Sequence, residues 1–184
     1  IKMDSKEFGL VAAQQLFQVE DLHYGFWKNG EKKDLTTWKK AQENHTNFLF
    51  NYINKFNLNK DSSKLLDIGC GVGITTKKLL DIGYKVDGLV PYKWMAEYAR
   101  NIIKRNQSNY KSTIYDCTFE KFPVKDLTKR YKLVFFSESF QYVKMNLSFD
   151  VLEKILDKEG FIIIFDFFKK DNIIGTSPLG GGHS

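Results

Sequence analysis

Leu65-Leu66-Asp67-Ile68-Gly69-Cys70-Gly71-Val72-Gly73-Ile74-Thr75 is the stretch that decides the fold. A short apolar run enters a turn with three alternate glycines, and a helical pattern from Ile74 to about Ile82 begins at once. Glycines let the backbone pass close to a ligand that a side chain would exclude. The free amides and positive end of the helix face the same space, which suits a nucleotide or a carboxylate. A phosphate-cradling loop would need Gly-Lys-Ser/Thr, and here Lys77 follows Thr75 and Thr76. A dinucleotide-binding turn would place its third glycine one position later.

Outward from this turn, strand and helix alternate. Lys64 to Ile68, Tyr84 to Val90, Tyr110 to Tyr115, Lys132 to Phe136 and Phe161 to Phe167 read as strands, the last nearly continuous in apolar residues. Helices are predicted over Lys93 to Arg105 and from about Ser148 to Asp157. This order implies an α/β fold, a parallel sheet with helices on both faces. Upstream, Phe8 to Val19 has helical spacing and His23-Tyr24-Gly25-Phe26-Trp27 reads as an aromatic loop. Asp34 to about Phe56 is a helix whose apolar stripe includes Trp38, Ala41, Phe48, Leu49 and Ile53; His45 on that stripe reads as packing or capping.

The 184 residues are enough for one domain, and 42% hydrophobic content excludes disorder. No apolar run approaches the ~20 residues of a membrane span. Cys70 and Cys117 lack the count and spacing of a disulfide framework or zinc site, and no metal ligand set is predicted. A reduced, cytoplasmic protein is expected. Lys and Arg number 28 against 22 Asp and Glu, but only Arg100, Arg105 and Arg130 are arginines, so no stable nucleic-acid partner is expected. Starting at Ile1, the chain reads as a processed or excised piece.

The Asp67-x-Gly69-x-Gly71-x-Gly73 pattern resembles motif I of class I S-adenosylmethionine-dependent methyltransferases. The resemblance implies a Rossmann-like sheet of class I topology. It also implies that the turn wraps the cofactor's methionine and ribose, with Asp67 holding the amino group and Gly69, Cys70, Gly71 and Gly73 lining it. Residues 61–168 would be the cofactor-binding core, 1–60 a helical lid or cap, and 169–184 a flexible tail or truncated stump. Two further strands usually complete such a sheet. They are missing here, so an exposed fifth-strand edge is expected, covered by self-association or a partner.

Most such enzymes carry an acid after the second strand for the ribose hydroxyls; here that position is Val90. Asp87 lies earlier and points to the other face. Gly88-Leu89-Val90-Pro91-Tyr92 instead is similar to the cyclopropane fatty acid synthase and mycolic acid methyltransferase branch. That branch also has an upstream aromatic segment and an Ala-Gln pair like Ala41-Gln42, making Tyr24 and Trp27 candidate lid residues near the cofactor. The resemblance places Asp116 at the adenine amino group, with Cys117 and Thr118 beside the ring.

Ser137 and Glu138 follow the fourth strand, where the transferred methyl group is expected. In cyclopropane synthases a Glu at this place belongs to a proton-accepting bicarbonate site whose companion His is Tyr142 here. Lys132 replaces the Asp that usually opens this strand. Glu138, Tyr142 and Tyr24 are the candidate catalytic residues, with His23 a further candidate base. The implied activity is in-line methyl transfer from S-adenosylmethionine to a small-molecule or lipid-like acceptor. A noncatalytic binding module completed by a partner, and an RNA methyltransferase, are the alternatives.

Overall fold

The computed structural model describes residues 5–17, 21–106, 109–127 and 130–168. The elements are α1 (Ser5–Phe17), α2 (Leu35–Lys55), β1 (Lys64–Ile68), α3 (Ile74–Asp81), β2 (Lys85–Leu89), α4 (Lys93–Ile103), β3 (Ile114–Tyr115), β4 (Tyr131–Ser137), α5 (Met145–Ile155) and β5 (Leu156–Phe165). Val19, at the end of the first predicted helix, and the predicted tail lie outside the described residues. No described helix is long and apolar enough to cross a membrane.

All five strands are parallel, in the order β3-β2-β1-β4-β5. The order reverses at β1, so the carboxyl ends of β1 and β4 flank the crevice where open α/β sheets bind ligands. Strand alternation sends Leu65 toward α2, α3 and α4, where Leu49, Ile53, Leu79, Leu80, Ala96 and Ala99 pack. Leu66 and Ile68 face the other way, onto Val151, Leu152 and Ile155 of α5. Helices therefore cover both faces, as the alternating pattern predicts.

Asp34 starts α2 by a capping box. Its carboxylate accepts from the Thr36 and Thr37 amides at 3.0 and 3.1 Å, and Thr37 reciprocates toward the Asp34 backbone. The buried stripe of this helix is unusual in that half of it is polar: Ala41, Gln42, His45, Thr46, Leu49 and Ile53. Apolar packing explains the last two. The polar members belong to the site described below.

One buried carboxylate ties the sheet together. Asp87 of β2 has no exposure, and it accepts from Lys64 Nζ at 2.7 Å, Tyr131 Oη at 2.8 Å, Tyr110 Oη at 3.1 Å and the Thr113 amide at 2.9 Å. Burial above all, and then Asp87, raises the Tyr131 and Tyr110 phenols, so both stay protonated donors. The same contacts explain why β3 is shorter than predicted. The Thr113 amide is committed to Asp87 and the Val86 carbonyl to Ser112 Oγ at 2.6 Å, so apart from the Gly88 amide's bond to the Thr113 carbonyl only Ile114 and Tyr115 pair in the ladder.

β5 also differs from expectation. It begins at Leu156, directly after α5, and a bulge sets the Leu156–Phe161 interval against Tyr131–Leu133 of β4. Among the described residues nothing pairs with its outer edge, and Phe161, Ile162 and Ile164 are 37–39% exposed rather than buried. The continuous apolar run thus belongs to an edge strand.

Replacing Asp87 strands three other donors and leaves Lys64 without its partner. Asp87→Ala is expected to lower unfolding free energy in urea by about 3–5 kcal/mol. Tyr131→Phe, which removes one bond to the charge, should cost about 1.5–3 kcal/mol.

Candidate functional site

The turn after β1 is fastened to the end of β2: the Gly69 and Cys70 amides both donate to the Leu89 carbonyl, at 2.8 and 3.0 Å. Its glycines serve different purposes. A Cβ on Gly69 would lie 2.4 Å from Ser139 Cβ, and one on Gly73 2.9 Å from Ala99 Cβ, so these two allow the turn to pack against the β4 connection and α4. Gly71 has φ of 54°, and the nearest atom to a Cβ there is Leu22 Cδ1 at 3.9 Å. Of the three, only Gly71 would admit a Cβ without a clash, in ordinary contact with Leu22.

Cys70 is buried against Gly88, and burial pushes its thiol well above the ordinary value, so it packs rather than reacts. Asp67 is 2% exposed and accepts from Thr76 Oγ1 at 2.7 Å. Burial is the main reason its carboxyl is pushed up to about 7.

Helix α2 positions the aromatic segment across this turn. Gly25 sits against Ala41, where a Cβ would lie 2.8 Å from the Ala41 carbonyl carbon, and the Phe26 amide donates to the Ala41 carbonyl at 2.8 Å. Gln42 Nε2 donates to the His23 and Asp21 carbonyls at 2.6 and 3.1 Å. Trp38 Nε1 reaches the Tyr24 carbonyl, and Asn44 Nδ2 the Phe26 carbonyl at 3.1 Å. The Ala41-Gln42 pair is thus a seat for the segment: a small residue where Gly25 presses, and an amide for two carbonyls. Asp21 reaches the start of α3, accepting from Thr75 Oγ1 at 3.4 Å.

The segment is joined to β4 by Glu138. This residue has φ of 54°, its amide donates to the Phe165 carbonyl at 2.8 Å, and its Oε2 accepts from the Tyr24 amide at 2.8 Å. Its Oε1 lies 3.4 Å from His45 Nε2, outside hydrogen-bond geometry. The His45 ring stacks between His23 and Phe165, with both centroid distances 4.2 Å. His23 Nε2 meets Asp21 Oδ2 at 3.2 Å. Burial foremost raises the Glu138 carboxyl, while burial and then the neighbouring His23 push His45 down to about 3. For Asp21 the pairing with His23 outweighs burial, the largest single influence, and its carboxyl falls below the usual range. A cavity of about 70 Å³ opens beside Glu138, His45 and Phe165, room for roughly two waters.

The other predicted site residues lie at the same end of the sheet. Leu89 and Val90 are 2% exposed and packed in the core; the Val90 amide donates to the Tyr115 carbonyl at 3.0 Å. Asp116 and Thr118 are exposed beyond β3, with Cys117 half-buried between them. Ser137 Oγ is buried without a hydrogen-bond partner. Tyr142 is exposed on a 3-10 turn, Phe140–Tyr142, and burial foremost raises both it and Tyr24, making them neutral phenols. The Trp27 indole donates to Thr37 Oγ1 at 3.0 Å, so its polar atom serves the start of α2. His45, predicted to pack or cap, is buried in the stack, and the polar stripe Gln42, His45, Thr46 is the sequence signal that polar groups meet it there.

A family described as a methyltransferase domain matches residues 66–164. No curated protein matches the chain. Among solved structures, one described as a sarcosine dimethylglycine methyltransferase from Galdieria sulphuraria superposes with a TM-score of 0.74 at 18% identity, over 87% of this chain and 60% of that one. Geranyl diphosphate C-methyltransferase from Streptomyces coelicolor A3(2), in complex with Mg2+, geranyl diphosphate and S-adenosyl-L-homocysteine, gives 0.63 at 15% identity over 82% and 58%. Mycolic acid cyclopropane synthase CmaA1, complexed with SAH and CTAB, gives 0.63 at 15% identity over 84% and 53%. The chain thus spans 53–60% of the lengths of these structures.

Asp67 supplies a pH test. Its carboxyl is raised from 3.8 to about 7, so the folded chain holds a proton that the unfolded chain has released, and stability falls as pH rises between about 4 and 7. Asp67→Asn, which can still accept from Thr76, is expected to flatten the melting temperature across that window relative to wild type.

Proposed function

Because the chain belongs to the methyltransferase-domain family, we propose that it binds S-adenosylmethionine over Gly71 and serves methyl transfer to a small-molecule or lipid-like acceptor. The observation that carries this reading is the open side of the glycine turn. Gly71 is the one glycine of the three with no protein atom close to a built Cβ, and Leu22 roofs it at 3.9 Å. A side chain there would occupy ligand space. When bound, the cofactor supplies an electrophilic methyl group on a sulfonium that leaves readily.

The chain's own residues supply position and dryness. Asp67, one residue from the turn, is the partner for the cofactor's ammonium group, and the aromatic segment excludes water from above. Asp116 and the exposed end of β3 take the adenine side. With Val90 apolar, ribose recognition falls to backbone groups. At the end of β4, Glu138 is the base for an acceptor that must lose a proton: its raised carboxyl is held by Tyr24 and borders the cavity. Tyr24 and Tyr142 act as neutral donors at the rim. The acceptor class is supported by neighbours solved in complex with geranyl diphosphate and with CTAB. A noncatalytic module is the reading that remains if binding occurs without turnover.

Calorimetry tests the proposal directly. S-adenosylmethionine and S-adenosylhomocysteine are expected to bind with micromolar affinity, and Gly71→Arg should abolish this while the variant stays folded. At pH 6 the carboxyl of Asp67 is largely protonated, so pairing with an ammonium releases a proton. The binding enthalpy should therefore vary with the buffer's ionisation enthalpy in wild type and not in Asp67→Asn. Failure of both ligands to bind the folded chain would overturn the reading.

A further inference from the structure

His23, His45 and Glu138 come from three distant segments, yet each offers a ligand atom within 4.8 Å of the others. We propose that these three side chains bind a divalent transition-metal ion, zinc or a close analogue, between the aromatic segment, α2 and the end of β4. The inference is independent of cofactor binding over Gly71, and with Oε1 on the ion it assigns Glu138 to ligation in place of the base role.

The first argument is unmet hydrogen bonding. His45 is 3% exposed and the Glu138 side chain 6%, but neither nitrogen of His45 nor Glu138 Oε1 has a hydrogen-bond partner, and His23 Nδ1 has none either. Four buried polar atoms without partners in one cluster is costly unless something fills the space between them. A cation held by one nitrogen of each imidazole and by Glu138 Oε1 meets three ligand atoms at once, whereas a water donating its two hydrogens meets two.

Ligand chemistry selects the ion. Two imidazoles and one carboxylate suit zinc, iron, cobalt or copper, whereas magnesium and calcium take oxygen ligands. Zinc with nitrogen and oxygen ligands near 2.0–2.1 Å spaces them ~3.3 Å apart in a tetrahedron. The 3.4 Å between His45 Nε2 and Glu138 Oε1 already meets this, while His23 must close by up to about 1.5 Å and turn out of its stack on His45 to aim its in-plane lone pair at the ion.

The surroundings resemble those of ligating residues elsewhere. Asp21 takes one side of His23 at 3.2 Å, a carboxylate–histidine pair that fixes the ring and its tautomer. The Tyr24 amide holds Glu138 Oε2 at 2.8 Å and leaves Oε1 facing His45, whose ring is clamped on Phe165. Asp21 and Glu138 together offset a double positive charge. With three protein ligands and a small adjoining cavity, the fourth position is open to water or a donor atom of a small molecule.

Cobalt is the probe. The chain, stripped with chelator, is titrated with Co2+ in the absence of S-adenosylmethionine and followed by visible absorption. The expected result is one equivalent with the intense d–d bands of a tetrahedral site, displaced by one equivalent of Zn2+, and a rise in melting temperature with Zn2+. His45→Ala should lose the bands, Glu138→Gln should weaken binding at least ~10-fold, and Asp21→Asn roughly 10–100-fold. Far-UV circular dichroism and metal-free melting establish that each variant is folded; the nearly isosteric Glu138→Gln decides if His45→Ala is not. A spectrum that remains that of hydrated cobalt overturns the proposal. So does unchanged binding in the folded variants, which would place the ion on the third histidine, His183, or on cysteine.

Discussion

A single carboxylate with four donors, Asp87, is the constraint on which the remainder of the sheet rests. Its partners come from the start of β1, the approach to β3 and the start of β4. A buried charge tolerates few arrangements, because every displaced donor leaves it less compensated. Sliding one of these strands past another would break at least one of the four bonds. Apolar packing alone gives no such discrimination, since Leu, Ile, Val and Phe fill either face with similar energy.

Fixed register is what lines up the site. Ile68 lies opposite both Leu89 and Phe136, Leu89 opposite Tyr115, and Phe136 opposite Ile164. The loops that follow β1, β2, β3, β4 and β5 therefore leave the sheet at one level. Upon that platform Glu138 performs a second joining, with its main chain on Phe165 and its side chain on Tyr24. The left-handed backbone of Glu138 turns the carboxylate back toward α2 rather than out to solvent, a conformation of the kind that persists where surrounding contacts hold it.

Much of this was legible in the residues. The short apolar run of β1, the glycine turn and the alternation of strand and helix identify the parallel sheet, because each is a local signal with one physical cause. Ala41-Gln42 could be noticed but not explained until Gly25 was seen pressing on it. His45 is buried and stacked as its helical spacing predicts, but that spacing says only that a residue faces inward and not what it meets there. Its partners, His23 and Glu138, are remote in sequence and converge only when β4 lies beside β1. β3 is likewise shorter than its residues predict, because a β-rich composition cannot reveal that the Thr113 amide is spent on Asp87. The apolar residues of β5 read as a buried strand, and among the described residues nothing pairs with its outer edge.

The junction of α5 and β5 has a bearing on how such a chain can change over evolutionary time. No loop separates them; the slack resides inside the strand, in the polar run Asp157-Lys158-Glu159-Gly160 opposite the bulge. Insertions and deletions ordinarily accumulate in connections between elements. Here the place that can absorb a change of length lies within β5 itself, on the rim of the sheet farthest from the glycine turn. Lineages could lengthen or trim this stretch while every strand end that builds the crevice stays where it is.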